Sequence, residues 1–265
     1  MLTKEKLYSQ LEAMGALPGQ TVIMHTSLKS IGKIEGRAEA LLDWLIEYFT
    51  RDGGLFCVPT HTWHLMSEPN LPTLDLNKAE SCTGVFTKIA AAHENGVRSI
   101  HPTHSMVVFG DQAESFVECE KNSITMVPPS GCYGKLYELS GKILLVGVGQ
   151  DKNTYIHSAE ERLDVPNRNE KTTVTTSVKY KDGRVERREI HQLLAEGIGD
   201  VSCYYPNYEP AFRYHGVIND GYIGEAKTQF CDAKGIFNVM KLIFERSGGR
   251  ELLSDLSPIS EEYYE

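Results

Sequence analysis

Ile143-Leu144-Leu145-Val146 is an apolar run of strand length that stops at Gly147-Val148-Gly149. Polar groups then crowd together: Asp151, Asn153, Thr154, His157, Glu160 and Glu161. An apolar run of this kind between turn signals reads as a buried strand. Glycines at its exit mark a turn or a close approach of backbone. From about Asn153 the chain is predicted helical, with Asp151 or Asn153 as N-cap. The same grammar recurs upstream: Thr21 to His25 and Leu55 to Pro59 read as strands, with a helix over residues 36–51 between them. Strand and helix in alternation predict an α/β protein. We expect a single domain over residues 1–265, a three-layer α/β/α arrangement with a mixed central sheet, and an acidic, frayed tail over 254–265.

Residues three or four apart on a helix share a face. Asn153 or Thr154, His157, and Glu160 or Glu161 therefore fall on one stripe. A carboxylate one turn from an imidazole can hold its ring and raise its basicity. The same spacing also describes a surface His–Glu pair on a capped helix. Placement separates the two readings: the stripe follows a buried strand and a glycine turn, where α/β proteins keep their sites.

The stretch resembles the aminoglycoside 3-N-acetyltransferases. That family has a strand, a polar turn, Thr-x-x-His-x-x-Glu and a downstream Pro-Asn-Lys/Arg; this chain has Thr154, His157, Glu160 and Pro166-Asn167-Arg168. Two further segments match in order. His25-Thr26-Ser27-Leu28-Lys29-Ser30-Ile31-Gly32 resembles the family's His-Ser/Thr-Ser-Leu-x-Ser-x-Gly, and His101-Pro102-Thr103-His104-Ser105 its His-Pro-x-x-Ser. A fourth departs: Ser-Pro of the family's Gly-x-x-Ser-Pro-x-x-Arg/Lys-Leu is replaced by Gly131-Cys132, while Lys135 and Leu136 align. The resemblance covers roughly residues 1–250. It implies His157 as general base and Glu160 as its partner. It also implies acetyl-CoA as co-substrate, held by Thr26, Ser27, Leu28, Ser30 and Ile31, with Thr103, Ser105 and Lys135 as further contacts.

A thioester is already an activated acyl donor, so such an enzyme must align an amine, remove a proton and stabilise an oxyanion. Donors in the Thr26–Leu28 turn are candidate oxyanion stabilisers, and Asp151 or Glu161 can attract a cationic acceptor. The expected reaction is direct transfer in a ternary complex, with the 3-amino group of a 2-deoxystreptamine aminoglycoside as acceptor. Rival readings are a metal-dependent hydrolase built on His61, His64, His101, His104 and His157, a CoA-binding relative that acts on another amine or without turnover, and a nucleophilic Cys132.

Composition narrows the classes. The net charge of −9 argues against nucleic acid and anionic membranes and suits a cationic substrate. No apolar stretch reaches the roughly 18 residues of a membrane span, and the amphipathic start has no signal-peptide character. The six cysteines form no C-x-x-C pair, and we expect a reducing cytoplasm and no metal. GxGxxG and GxxxxGK[ST] are absent, against nucleotide phosphoryl transfer and Rossmann redox chemistry. A homodimer is an expectation without a residue signal.

Elsewhere, Thr3 is the expected N-cap of a helix over 3–15, and Thr83 to Asn95 and Asp111 to Asn122 read as helices. Residues 61–80 read as a loop, a lid or part of the substrate wall. Thr172 to Tyr180 and Val185 to Ile190 alternate around Asp182-Gly183, a hairpin signal expected to add antiparallel strands to the central sheet. A short helix is expected over 209–215, a strand over 224–229 and a late helix over 236–246.

Overall fold

Helices and strands alternate over most of the chain in the computed structural model, which describes residues 1–193 and 195–265. From the N-terminus run α1 (Lys4–Ala13), β1 (Thr21–Thr26), the single-turn α2 (Leu28–Ile31), α3 (Arg37–Phe49) and β2 (Leu55–Pro59). Then come β3 (Thr73–Asp75), α4 (Val85–Ala92), β4 (Val97–Arg98), β5 (Met106–Phe109), α5 (Ala113–Val117), α6 (Cys132–Glu138) and β6 (Lys142–Val146). The second half holds α7 (Tyr155–Arg162), β7 (Asn169–Lys179), β8 (Val185–Leu193), α8 (Glu209–Tyr214), β9 (Ile218–Ile223), β10 (Ala226–Asp232) and α9 (Ala233–Arg246).

Seven strands form one sheet in the order β4-β5-β2-β1-β6-β10-β9. Its centre is parallel, β1 lying between β2 and β6, and both flanks are antiparallel. Successive side chains of a strand point to opposite faces, and here that alternation sorts two cores. Ile23, Cys57, Val108, Ile143 and Leu145 face the layer of α5, α6, α7, α8 and α9. Val22, Met24, Phe56, Val107, Leu144 and Val146 face α1, α3 and α4. Both faces are covered, so the central strands read as continuous apolar runs rather than alternating ones. The expected α/β/α layering and mixed sheet are what the chain forms.

The source of the mixing differs from the expectation. The Asp182-Gly183 hairpin is present, but β7 and β8 pair with β3 in a separate three-stranded sheet. Antiparallel character enters the main sheet through β5 and through the β9–β10 hairpin. The expected strand at 224–229 is the start of β10, while β9 escaped notice: Ile-Asn-Asp-Gly-Tyr-Ile lies at the edge, its middle exposed, and carries no period-two signal. The acidic tail is not frayed. Ile259 and Tyr264 are buried in the first core, the Ile259 N–H donates to Asn207 O, and His215 Nε2 bonds Tyr264 O. Two apolar anchors outweigh the acidic composition around them. Thr3 does cap α1, accepting from the Lys6 N–H.

The order in which strands are added reverses around β1. One connection runs from β1 to β2 on one side; the chain later returns to β6 on the other. Strand ends at such a switch point frame the crevice where open α/β sheets bind ligands. Thr26 pairs with Val146, and the Ser27 N–H donates to Val146 O at 2.9 Å, so the two exit loops run side by side. Gly147 makes this contact possible. Its φ of +65° is left-handed, and a Cβ there would lie 2.4 Å from Ser30 Cβ.

Candidate active site

A cleft of about 720 Å³ opens over these strand ends. It is lined from β1 by His25 and Thr26, from the segment after β2 by His61 and Trp63, and by His104 before β5. Asp151, Asn153, Thr154 and His157 come from the turn and helix after β6, and Asp200 and Ser202 from the segment before α8. The 61–80 stretch is thus part wall: it forms a 3-10 turn over Trp63–Ser67, and Trp63 is half exposed at the cleft.

Helix α7 carries the stripe that the sequence picked out, with a different start. A 3-10 turn over Gln150–Lys152 ends at Asn153, the helix starts at Tyr155 with Thr154 as the cap residue, and no side chain caps the first turn. Neither Asp151 nor Asn153 is needed as N-cap. Asn153 Nδ2 instead donates to Gln150 Oε1 at 2.8 Å, and Gln150 Nε2 donates to Gln229 Oε1 at 2.8 Å on β10. This amide chain fixes the turn against the sheet.

His157 is almost fully buried, and burial pushes its pKa down to about 4, Asp200 opposing the shift and Arg168 adding to it. Its Nδ1 lies 2.5 Å from Tyr205 Oη. Tyr205 Oη donates to Glu160 Oε2 at 2.6 Å, so Glu160 reaches His157 through a phenol rather than directly. The other Glu160 oxygen lies 2.8 Å from Arg168 Nε. Arg168 also grips Glu251, through Nη1 at 2.7 Å and Nη2 at 3.1 Å. With Nδ1 engaged inside, Nε2 is the nitrogen left for the cleft that His157 lines.

Burial also holds His25 down, to about 3, and keeps His61 and His104 well below the usual imidazole range. At neutral pH the wall is therefore a set of uncharged imidazoles. His61 Nε2 bonds Tyr133 Oη at 2.6 Å. The charged lining groups are Asp151, Asp200 and Lys152, with Asp151 and Lys152 paired at 3.0 Å. Three lining residues carry a buried polar atom without a partner among the described residues: His25 Nε2, Thr26 Oγ1 and Asn153 Oδ1. An unsatisfied buried polar atom costs about 1–3 kcal/mol, and these three belong to side chains that line the cleft.

Thr26, Asp151 and His157 thus share the cleft; other expected site residues do not line it. Ser27 and Ser30 bond each other at 3.1 Å on α2, Ile31 is buried in the second core, and Leu28 packs against that core. Thr103 and Ser105 are fully buried. The Thr103 hydroxyl is shared between the rings of His101 and His104, and Ser105 Oγ donates to Thr60 O at 2.9 Å. Their hydroxyls are consumed internally, and His104 takes the cleft position instead. Lys135 Nζ donates to Ser115 O and Phe116 O, tying α6 to α5 away from the cleft. Glu161 accepts from Thr125 Oγ1 at 2.6 Å and the Val127 N–H at 3.2 Å, anchoring the 125–127 segment rather than facing a substrate.

The metal-hydrolase set does not assemble. Among the described residues, no three of His61, His64, His101, His104 and His157 bring ring nitrogens within 4.8 Å of one another. The three residues that do converge on such a scale are Cys119, Glu120 and Cys132, behind α6. Cys132 is buried, its thiol pushed well up by burial, and its Sγ lies 3.7 Å from Cys119 Sγ, so it is no nucleophile of this cleft. Asp200 and Tyr205 were missed from the sequence, while His61 was singled out only as a metal ligand and Trp63 only as part of the 61–80 stretch. Tyr205 and Asp200 sit in an aperiodic 3-10 segment, Val201–Tyr208 and its N-cap, with nothing local to link them to residue 157.

Comparison with known proteins finds a family and a fold. The family profile described as aminoglycoside 3-N-acetyltransferase matches residues 23–245. The SPbeta prophage-derived aminoglycoside N(3')-acetyltransferase-like protein YokD of Bacillus subtilis is 27% identical, the match covering 61% of this chain and 65% of that protein, just under two thirds of its length. Aminoglycoside N(3)-acetyltransferase VII of Streptomyces paromomycinus is 24% identical over 94% of each chain. Among solved structures, AAC-IIIb in binary complex with CoASH superposes with a TM-score of 0.75 at 20% identity, covering 92% of this chain and 97% of that one. No described helix is long and apolar enough to cross a membrane.

Proposed function

Because this chain belongs to the aminoglycoside 3-N-acetyltransferase family, and so to the acyltransferases, we propose that it moves acetyl from acetyl-CoA to an amine, with His157 as general base. The observation that carries the proposal is the shared cleft: the β1 exit at Thr26 and the imidazole of His157 line one cavity. The cleft also fits the donor. It is large enough for an acyl-pantetheine arm, and Thr26 Oγ1 is an unpartnered hydroxyl at the strand end.

In this reading the free amine attacks the thioester carbonyl, forming a C–N bond. The nitrogen becomes strongly acidic as that bond forms, so even a weakly basic imidazole can take its proton. His157 Nε2 receives it, the C–S bond breaks, and the proton passes to the departing thiolate. Donors near Thr26 face the developing oxyanion. The acceptor is the 3-amino group of a 2-deoxystreptamine aminoglycoside, as the relatives' names suggest, with Asp151 and Asp200 drawing its ammonium groups.

One observation favours a second acceptor class. The lining holds two carboxylates, and Asp151 is already paired with Lys152. That is thin compensation for a polycation and suits a smaller amine carrying one or two charges. Incubation with acetyl-CoA and a panel of aminoglycosides and smaller amines, following free thiol, decides between them. Thiol release dependent on a deoxystreptamine supports the first reading; release only with small amines supports the second; no amine-dependent release with any member refutes the acetyl-transfer assignment.

A further inference from the structure

Tyr205 is not used by the acetyl-transfer scheme above, yet it stands between the two residues that scheme depends on. It is completely buried, with Oη 2.5 Å from His157 Nδ1 and 2.6 Å from Glu160 Oε2. A phenol has one proton to donate, and an ionised carboxylate only accepts. Burial raises the Glu160 carboxyl, but the Arg168 guanidinium in contact at 2.8 Å opposes this and favours the ionised form. The phenol proton then belongs to Glu160, and the phenol oxygen is left to accept from the imidazole. The reverse arrangement would face two lone pairs across 2.6 Å without a proton between them, in a site that water does not reach.

A neutral imidazole has one N–H, and the hydrogen bond made by one nitrogen decides the state of the other. If Nδ1 donates to Tyr205, Nε2 carries the lone pair, and Nε2 is the atom on the cleft side. We propose that Tyr205 is a positioning residue for acetyl transfer, locking His157 in the tautomer whose Nε2 lone pair faces the acceptor amine. The catalytic half of this rests on the reading of His157 as general base; the tautomer half does not. The same chain serves the next step. When Nε2 takes the proton, the imidazolium's Nδ1–H already points along Tyr205 toward the Glu160 charge, so no group has to reorient.

The test pairs a spectrum with kinetics. Uniformly 15N-labelled protein at neutral pH, read by two-bond 1H–15N correlation with His157 assigned through His157→Gln, reports the tautomer without any turnover. The wild type should show the Nδ1–H form. Tyr205→Phe keeps the ring packing and removes the hydroxyl; it should show a mixture or the Nε2–H form. Its kcat should fall at least about tenfold, since a wrong tautomer disables a general base, with KM for acetyl-CoA unchanged. An Nε2–H wild type, or a tautomer unmoved by Tyr205→Phe, overturns the proposal. The wild-type spectrum decides even if the variant fails to fold. A shifted tautomer with turnover intact upholds Tyr205's hold on the ring and refutes His157 as base, so the two failures are distinguishable.

Discussion

Arg168→Met isolates the most heavily buried charge pair beside the candidate site. The side chains of Arg168 and Glu160 are 2% and 1% exposed, and their contact is 2.8 Å. Removing one partner of such a pair leaves an uncompensated buried charge, at a cost of about 3–5 kcal/mol. Glu251 is 30% exposed, so loss of its contact adds at most about 1 kcal/mol. Against a total stability of about 5–15 kcal/mol, this single change consumes roughly a fifth or more. With a urea m-value of about 3 kcal/mol/M for a chain of this size, the unfolding midpoint should drop by at least about 1 M at pH 7. The loss should shrink near pH 5. Without the guanidinium, the folded-state pKa of Glu160 rises further above its unfolded value, so the penalty is present at high pH and is relieved as the carboxyl takes a proton. Adding Glu160→Gln removes the stranded charge, and the double variant should be more stable than Arg168→Met alone. A midpoint shift under about 0.3 M, or a double variant no better than the single one, would refute the argument from buried charge.

Three further outcomes are expected. His157→Gln should lower kcat in the thiol-release assay by at least about a hundredfold, the low end for a general base; near-normal turnover removes His157 from the chemistry. Stability should fall as pH drops from about 6.5 toward 5. His25, His61, His101, His104 and His157 are all held below the usual imidazole range by burial, so the unfolded chain takes up protons that the folded one refuses, at up to about 1.4 kcal/mol per pH unit per histidine. A urea midpoint that stays constant across that window would contradict those burials. Gly147→Ala forces a Cβ onto a left-handed backbone and to within 2.4 Å of Ser30 Cβ, which should cost about 2–4 kcal/mol; Ser30→Gly in the same chain should recover part of it, and a variant as stable as wild type would mean that the β6 exit and α2 do not touch.

How much was legible follows from the range of each interaction. Buried strands at Thr21, Leu55 and Ile143, and the helical stripe of Thr154, His157 and Glu160, are local patterns of polarity, and periodicity reports them directly. Those patterns fixed the layering, because an apolar run exposed on neither face requires helices on both. They also located the candidate base. What residues three apart could not show was that Glu160 would meet Arg168 and a phenol from position 205 before it met His157. Nor could the pattern at 101–105 say which hydroxyls would turn inward: Thr103 and Ser105 are spent on rings and carbonyls beside them, and His104 takes the cleft. Charge alone misplaced Glu161 and Lys135, since a charged side chain reads the same whether it faces solvent, a substrate or the end of another helix. Sequence by itself determined which segments are strand and helix and which helix bears the imidazole. Tertiary structure decided which polar groups face each other across the chain, because hydrogen bonds and ion pairs are settled over a few ångströms in space and leave no period along the sequence.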